Sequence, residues 1–123
     1  KLTGLKIDSI LDNTVLLVGK GPEFGLLTDK QLEILFFKKY TVANENNRMA
    51  YQIEEKIDGH AISMLTSATL PGTVQLTPSG KLIILMKDGQ TTGGYPRILQ
   101  LTDTAISILA QKKAGDAISF KLI

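Results

Sequence analysis

Turn-forming residues interrupt this chain so often that most segments between them have room only for a short strand. NENN at 44–47, PG at 71–72, PSG at 78–80, DG at 88–89 and AGD at 114–116 carry the glycine, proline and Asx residues of tight reversals. The intervals between such signals read as strands: KIDSI at 6–10, TVLLV at 14–18, YTV at 40–42, MAYQIE at 49–54, TVQLT at 73–77, KLIILMK at 81–87, RILQLT at 97–102 and AISFKLI at 117–123. In MAYQI the period of two places Met49, Tyr51 and Ile53 on one face and Ala50 and Gln52 on the other. LIILM at 82–86 has no polar alternation, which predicts a central strand with Ile83 and Ile84 pointing to opposite, covered faces.

Two segments break this rhythm. In LLTDKQLEILFFKK, Thr28 is a helix cap, Gln31 completes a capping box, and Leu27 can staple onto Leu32. Leu32, Leu35 and Phe36 then form the buried stripe, and Lys38 and Lys39 suit the negative end of the helix dipole. In TDTAISILAQKKAG the cap is Thr102 or Asp103, the stripe is Ile106, Leu109 and Ala110, and Gly115 is a stop. Many strands with two short helices predict a mainly β domain, and a closed or nearly closed barrel protects so many strand edges most simply.

At 123 residues the chain suffices for one domain, 1–123, with a core that needs no metal or disulfide. The absence of cysteine excludes disulfides and thiol catalysis, and suits a reducing cytoplasm. LIILM, the longest aliphatic run, is too short to span a membrane, and no basic leader with an apolar stretch opens the chain. The start at Lys1 reads as a piece of something longer. The net charge of +2 is carried by scattered lysines without a basic, aromatic-laced stripe, which speaks against nucleic acid.

Little of the usual catalytic equipment is present. His60, the only histidine, has Asp58 and Ser63 close in sequence, but triads assemble in space from distant segments, and one histidine without cysteine is too little for a metal site. GKGPEFG at 19–25 lacks the spacing of a phosphate loop and reads as a connection. The arginines are more telling. A chain with twelve lysines uses arginine twice, Arg48 after NENN and Arg97 after QTTGGYP, each beside a loop rich in amide, hydroxyl and glycine. Two readings stand open here: a cradle for a carboxylate or amide, or tight turns flanked by surface ion pairs.

NNRMAYQI at 46–53, LPGTVQLTPSGKLIILMKDGQTTGGYPRI at 70–98 and KKAGDAISFKLI at 112–123 resemble the C-terminal half of KipA-type proteins. This family is also called allophanate hydrolase subunit 2 or carboxyltransferase subdomain A/B, and it includes the C subunit of 5-oxoprolinase. The similarity runs from about residue 15 if Gly21 and Pro22 match the family's GP turn. Asn47, Arg48, Met49 and Tyr51 match its polar-Arg-Met-x-Tyr stretch; Pro71, Gly72, Val74 and Gln75 match its PG-x-hydrophobic-Gln; and Gln90 to Pro96 match its TTGGYP signature. Ala50 stands where the family has a glycine.

The resemblance implies a cyclophilin-like β-barrel and a related N-terminal half in a longer two-half subunit. It implies two partners, one KipI-like and one LamB/YcsF-like, in a complex that uses ATP to convert 5-oxoproline to glutamate; no cofactor is expected on this fragment. Relatives that regulate a kinase inhibitor, or sit inside biotin-dependent urea carboxylase, supply the alternatives of a binding module or a carboxyl-transfer domain. The expected site is a pocket at a mouth of the barrel for a small amide or lactam with a carboxylate. Arg48 is expected on the carboxylate and Gln75, Gln90 and Thr91 on the amide. Thr92 lies beside them, Gly93 and Gly94 shape the pocket and Tyr95 closes one side. No residue is assigned a catalytic role.

Overall fold

The computed structural model describes residues 14–44, 49–58, 67–87, 89 and 92–123. The strand expected at 6–10 lies outside them, as do His60 and Ser63. Nine strands are present among the described residues: β1 (Val15–Lys20), β2 (Tyr40–Thr41), β3 (Ala50–Gln52), β4 (Ser67–Ala68), β5 (Thr73–Leu76), β6 (Leu82–Leu85), β7 (Thr92–Gly93), β8 (Arg97–Leu101) and β9 (Ala117–Leu122). Two α-helices, α1 (Asp29–Phe37) and α2 (Asp103–Ala110), accompany them, with a single 3₁₀ turn at Phe24–Leu26.

Seven strands form one sheet in the order β2-β9-β1-β8-β5-β6-β3, antiparallel except for the β1–β9 pair. The sheet curls until its two edges meet: Val42, just past β2, bridges Ile53, just past β3, with Ala43 N–H donating to the Gln52 carbonyl at 2.9 Å and Glu54 N–H to that of Thr41 at 2.9 Å. Bringing the edges together satisfies backbone groups that an open sheet would expose. The enclosed face carries the core, in which Leu16, Val18, Ile53, Val74, Leu76, Leu82, Ile84, Leu99 and Ile118 are all inaccessible to solvent.

Both helices begin as the sequence predicts. Thr28 Oγ1 accepts from Gln31 N–H at 3.1 Å while Gln31 Oε1 accepts from Thr28 N–H at 2.8 Å, a complete capping box. Thr102 caps α2 by accepting from Ala105 N–H at 3.2 Å. The C-termini differ from expectation. α1 stops at Phe37, so Lys38 is its C-cap rather than a last-turn cation, and the core supplies the partners for its carbonyls. The Tyr40 hydroxyl donates to the carbonyls of Ile34 and Leu35 at 3.3 Å each, and the Tyr51 hydroxyl to those of Ala110 and Lys112 at 3.3 and 3.1 Å. Two tyrosines rooted in the sheet thus provide donors for carbonyls at the helix ends. Burial, reinforced by the Glu55 carboxylate, raises the Tyr40 hydroxyl far above its ordinary value and keeps it a donor.

The α2 stripe also shifts. Ala105 and Leu109 are the buried residues, Ile106 packs partly against the core, and Ala110 is exposed because the helix ends there. Gly115 lies in the turn beyond, with φ +92°, and donates its N–H to the Val42 carbonyl at 2.8 Å.

LIILM is a central strand as expected, but its faces are unequal. Ile84 is fully enclosed in the core, whereas Ile83 is only half-buried and faces outward. Ile84→Ala should therefore cost about 2–5 kcal/mol, and Ile83→Ala less than half as much. Chemical denaturation of the two variants checks this, and equal losses would mean that the outward face is packed as tightly as the core.

Candidate functional site

Part of the TTGGYP string is a strand. Thr92 and Gly93 form β7, which pairs with β4 in a two-stranded ribbon separate from the main sheet, Ser67 opposite Gly93 and Ala68 opposite Thr92. No period in the sequence announces a strand at 67–68, since two residues are too few to show one.

The ribbon lies over the outward face of the sheet, and strand alternation decides what it meets there. Ile84 pairs with Tyr51 on one side and Val74 on the other, and all three enter the core. One residue earlier, Ile83 pairs with Gln52 and with Gln75, and this row must face the opposite way. The pair Ala50 and Leu85 extends that face. Together with Met49, Gly93, Gly94 and Tyr95 these residues line a cleft of about 300 Å³. It is apolar along Ile83, Leu85, Met49 and Ala50 and amidic at Gln52 and Gln75. No charged side chain is among these described lining residues.

Gln75 is the chemically unusual member. Its side chain is 4% exposed, and its Nε2 is a buried donor with no hydrogen-bond partner among the described residues. Such a group costs about 1–3 kcal/mol and calls for a functional or structural reason. Directly above it is Gly93, where a Cβ would collide with the Gln75 amide nitrogen. A side chain at 93 would have to displace the Gln75 amide, so glycine there permits the close approach of strand β7. An irregularity in the β5–β8 pairing falls at the same place, Val74 matching Leu99 but Gln75 matching Arg97, so that Ile98 is unpaired in the ladder.

Arg97 resolves one of the two open readings. Its guanidinium grips Glu23 through Nε to Oε1 and Nη2 to Oε2, both at 2.8 Å, while its backbone N–H donates to the same Oε1 at 2.8 Å. The remaining arm, Nη1, donates to the Ala68 carbonyl of β4 at 2.6 Å. Gly21 N–H donates to the Ile98 carbonyl at 3.0 Å, and a Cβ at Gly21 would strike the Arg97 carbonyl, so the GP turn is seated flat against β8. The planar fork is fully used in tying this turn, β8 and the ribbon together. Arg97 is a structural clamp.

Of the expected site residues, Gln75, Gly93, Gly94 and Tyr95 come together on the cleft, and Thr92 is exposed on the ribbon beside them. Arg48, Gln90 and Thr91 lie outside the described residues. The cleft is set on the outward face of the sheet and not at a mouth of the barrel, because Gln75 and Ile83 alternate with the core residues of their own strands. Gln52 joins the site unanticipated. The alternation of MAYQI had already separated Ala50 and Gln52 from the core face, which was the signal available. Ala50, at the family's glycine position, adds its methyl to the apolar side of the cleft. Among the described residues no group of three or more His, Cys, Asp or Glu side chains is arranged to hold a metal ion, and no helix is long and apolar enough to cross a membrane.

Comparison with known proteins gives a consistent picture. Residues 5–122 match the family described as carboxyltransferase domain, subdomain A and B. The chain is 38% identical over 87 residues to the 5-oxoprolinase C subunit of Haemophilus influenzae, covering 69% of this chain and 28% of that protein. It is 33% identical over 102 residues to the 5-oxoprolinase C subunit of Escherichia coli, covering 81% of this chain and 33% of that protein. The chain thus spans a third or less of these relatives. Among solved structures, the urea carboxylase of Kluyveromyces lactis superposes with a TM-score of 0.79 at 20% identity, over 89% of this chain and 11% of that one, a likeness of fold.

The Arg97 clamp sets a pH dependence. The hydrogen bond from Arg97 leads in holding the Glu23 carboxyl below its ordinary value of 4.5, against the opposing effect of burial. A carboxylate whose folded-state value is depressed contributes stability above its unfolded value and loses it as the pH falls through the folded one. Acidification below 4.5 should therefore weaken the wild-type fold more steeply than that of Glu23→Gln. Thermal melts across the acid range check this, and parallel curves would count against the clamp.

Proposed function

The chain belongs to the carboxyltransferase domain, subdomain A and B family, and on that premise we propose that it contributes a small-amide pocket to an ATP-dependent 5-oxoprolinase. In this reading it is the C-terminal half of a longer two-half subunit. With KipI-like and LamB/YcsF-like partners, that subunit forms a complex that uses ATP to open 5-oxoproline to glutamate.

The observation that carries the reading is the unpartnered amide of Gln75 beside a small cleft lined by amide and apolar groups. A lactam offers a carbonyl oxygen for a donor and ring methylenes for an apolar wall, and pockets of this kind place a few polar groups in a mainly apolar lining. The names of the two curated relatives point to the same substrate class. Arg48 is assigned to the substrate carboxylate, where a planar fork can make two parallel hydrogen bonds, and Gln90 and Thr91 to the amide. The chemistry of ATP is left to the partners, so the isolated domain should not turn over 5-oxoproline.

The test is reconstitution. The full-length protein that contains this domain, mixed with its KipI-like and LamB/YcsF-like partners, should release glutamate from 5-oxoproline in the presence of ATP. Arg48→Lys keeps the charge but loses the fork, and Gln90→Ala removes an amide; each should cut turnover about tenfold, about 1.4 kcal/mol, with unchanged melting temperature. Well-folded variants with normal turnover would reduce QTTGGYP to a structural element. A complex that ignores 5-oxoproline would shift the weight to a binding module or, if a biotinylated carrier is carboxylated or decarboxylated in its presence, to carboxyl transfer.

A further inference from the structure

We infer that the KKAGD turn at 112–116, acting through Val42 and the Tyr51 hydroxyl, positions strand β3 and with it the Gln52 wall of the cleft, without touching a ligand. This rests on the cleft being the site of the proposed function and adds what holds one of its walls.

Strand β3 has only three residues, and strand alternation divides them between two jobs. Ala50 and Gln52 line the cleft, while Tyr51 between them is buried in the core. One flank of β3 is laddered to β6. The other is held by the Val42–Ile53 bridge and the two backbone hydrogen bonds beside it. Peptide planes are rigid, so whatever fixes Tyr51 and Val42 also fixes where Ala50 and Gln52 stand.

Both anchors converge on the same turn. The Tyr51 hydroxyl donates to the carbonyls of Ala110 and Lys112 at 3.3 and 3.1 Å, and burial raises it above its ordinary value, so it stays a donor. Gly115 N–H donates to the Val42 carbonyl at 2.8 Å, and Val42 N–H to the Asp116 carbonyl at 2.9 Å. The turn is braced internally, with Lys113 N–H donating to Asp116 Oδ2 at 2.7 Å and Asp116 N–H to the Lys113 carbonyl at 3.0 Å. Gly115 has φ +92°, and a Cβ there would meet nothing within 4 Å. A side chain at 115 therefore strains the backbone of the turn and nothing else.

The test uses the full-length protein that contains this domain, with glutamine side chains and methionine methyls isotope-labelled. Gly115→Ala should move the Gln52 side-chain NH₂ and Met49 methyl resonances, although Gly115 does not line the cleft. Tyr51→Phe keeps the ring in the core, removes the hydroxyl, and should move the same signals. Thr28→Ala is the control: it strips the capping box of α1 and should lower the melting temperature while leaving both signals in place. In the complex reconstituted with the KipI-like and LamB/YcsF-like partners, Gly115→Ala and Tyr51→Phe should each raise the KM for 5-oxoproline about threefold or more with kcat little changed. Thr28→Ala should keep the wild-type KM.

The inference falls if Gly115→Ala leaves the Gln52 and Met49 signals unmoved, or if Thr28→Ala moves them as far, since the response is then a general loosening of the fold. It also falls if an active complex carrying Gly115→Ala or Tyr51→Phe keeps the wild-type KM. The two readouts separate this inference from the one beneath it. Turnover with unmoved signals removes the positioning role alone, and signals that move in a complex that leaves 5-oxoproline intact remove the 5-oxoprolinase reading alone.

Discussion

Strand β5 is buried along its whole length, and the molecule is built on the fact that its two faces serve different purposes. Its ladder to β6 fixes Val74 beside Ile84 and Gln75 beside Ile83. A slip of one residue would send Gln75 into the core and Val74 out to the cleft, exchanging an apolar contact for a buried amide among aliphatic side chains. The aliphatic filling of the enclosed face therefore holds the register, and the register in turn holds the cleft residues on the outside.

The two faces are coupled at the β8 side of β5. There the ladder skips Ile98, which is left unpaired and enters the core, and Arg97 is carried to the opposite face next to Gln75. From that position its guanidinium reaches both Glu23 and the β4 carbonyl, so one side chain joins the GP turn to the ribbon above the cleft. Arginine suits this place because three arms of a rigid plane are used at once, which a lysine point charge cannot reproduce. The cleft is positioned by this clamp on one side and by the β3–β6 ladder on the other.

Much of this was legible in the chain. Helix caps and strand runs depend on neighbours one to four residues apart, so Thr28 with Gln31, Thr102, and the runs at β1, β5, β6, β8 and β9 are readable directly. The alternation in MAYQI put Tyr51 and Ile53 in the core and Gln52 on the other face, and Gln75 and Gly93 were picked out by the TTGGYP and PG-x-hydrophobic-Gln patterns. What escaped were features that depend on a distant partner. Met49, on the face predicted to be buried, is exposed because the strand begins only at Ala50. The β4–β7 ribbon likewise depends on pairing between segments far apart along the chain.

The sequence by itself determined the mainly β class, the helix starts, the turns and the family, because each is encoded in local periodicity, capping chemistry or a contiguous motif. Tertiary structure alone decided that Arg97 is a clamp and that the cleft lies on the outer face of the sheet. Glu23 and Arg97 are 74 residues apart in sequence, and no local pattern announces that pairing. The burial of Gln75 Nε2 without a partner is of the same kind: it exists only where β5, β6 and the ribbon converge, since desolvation is a property of the surrounding elements and not of the residue.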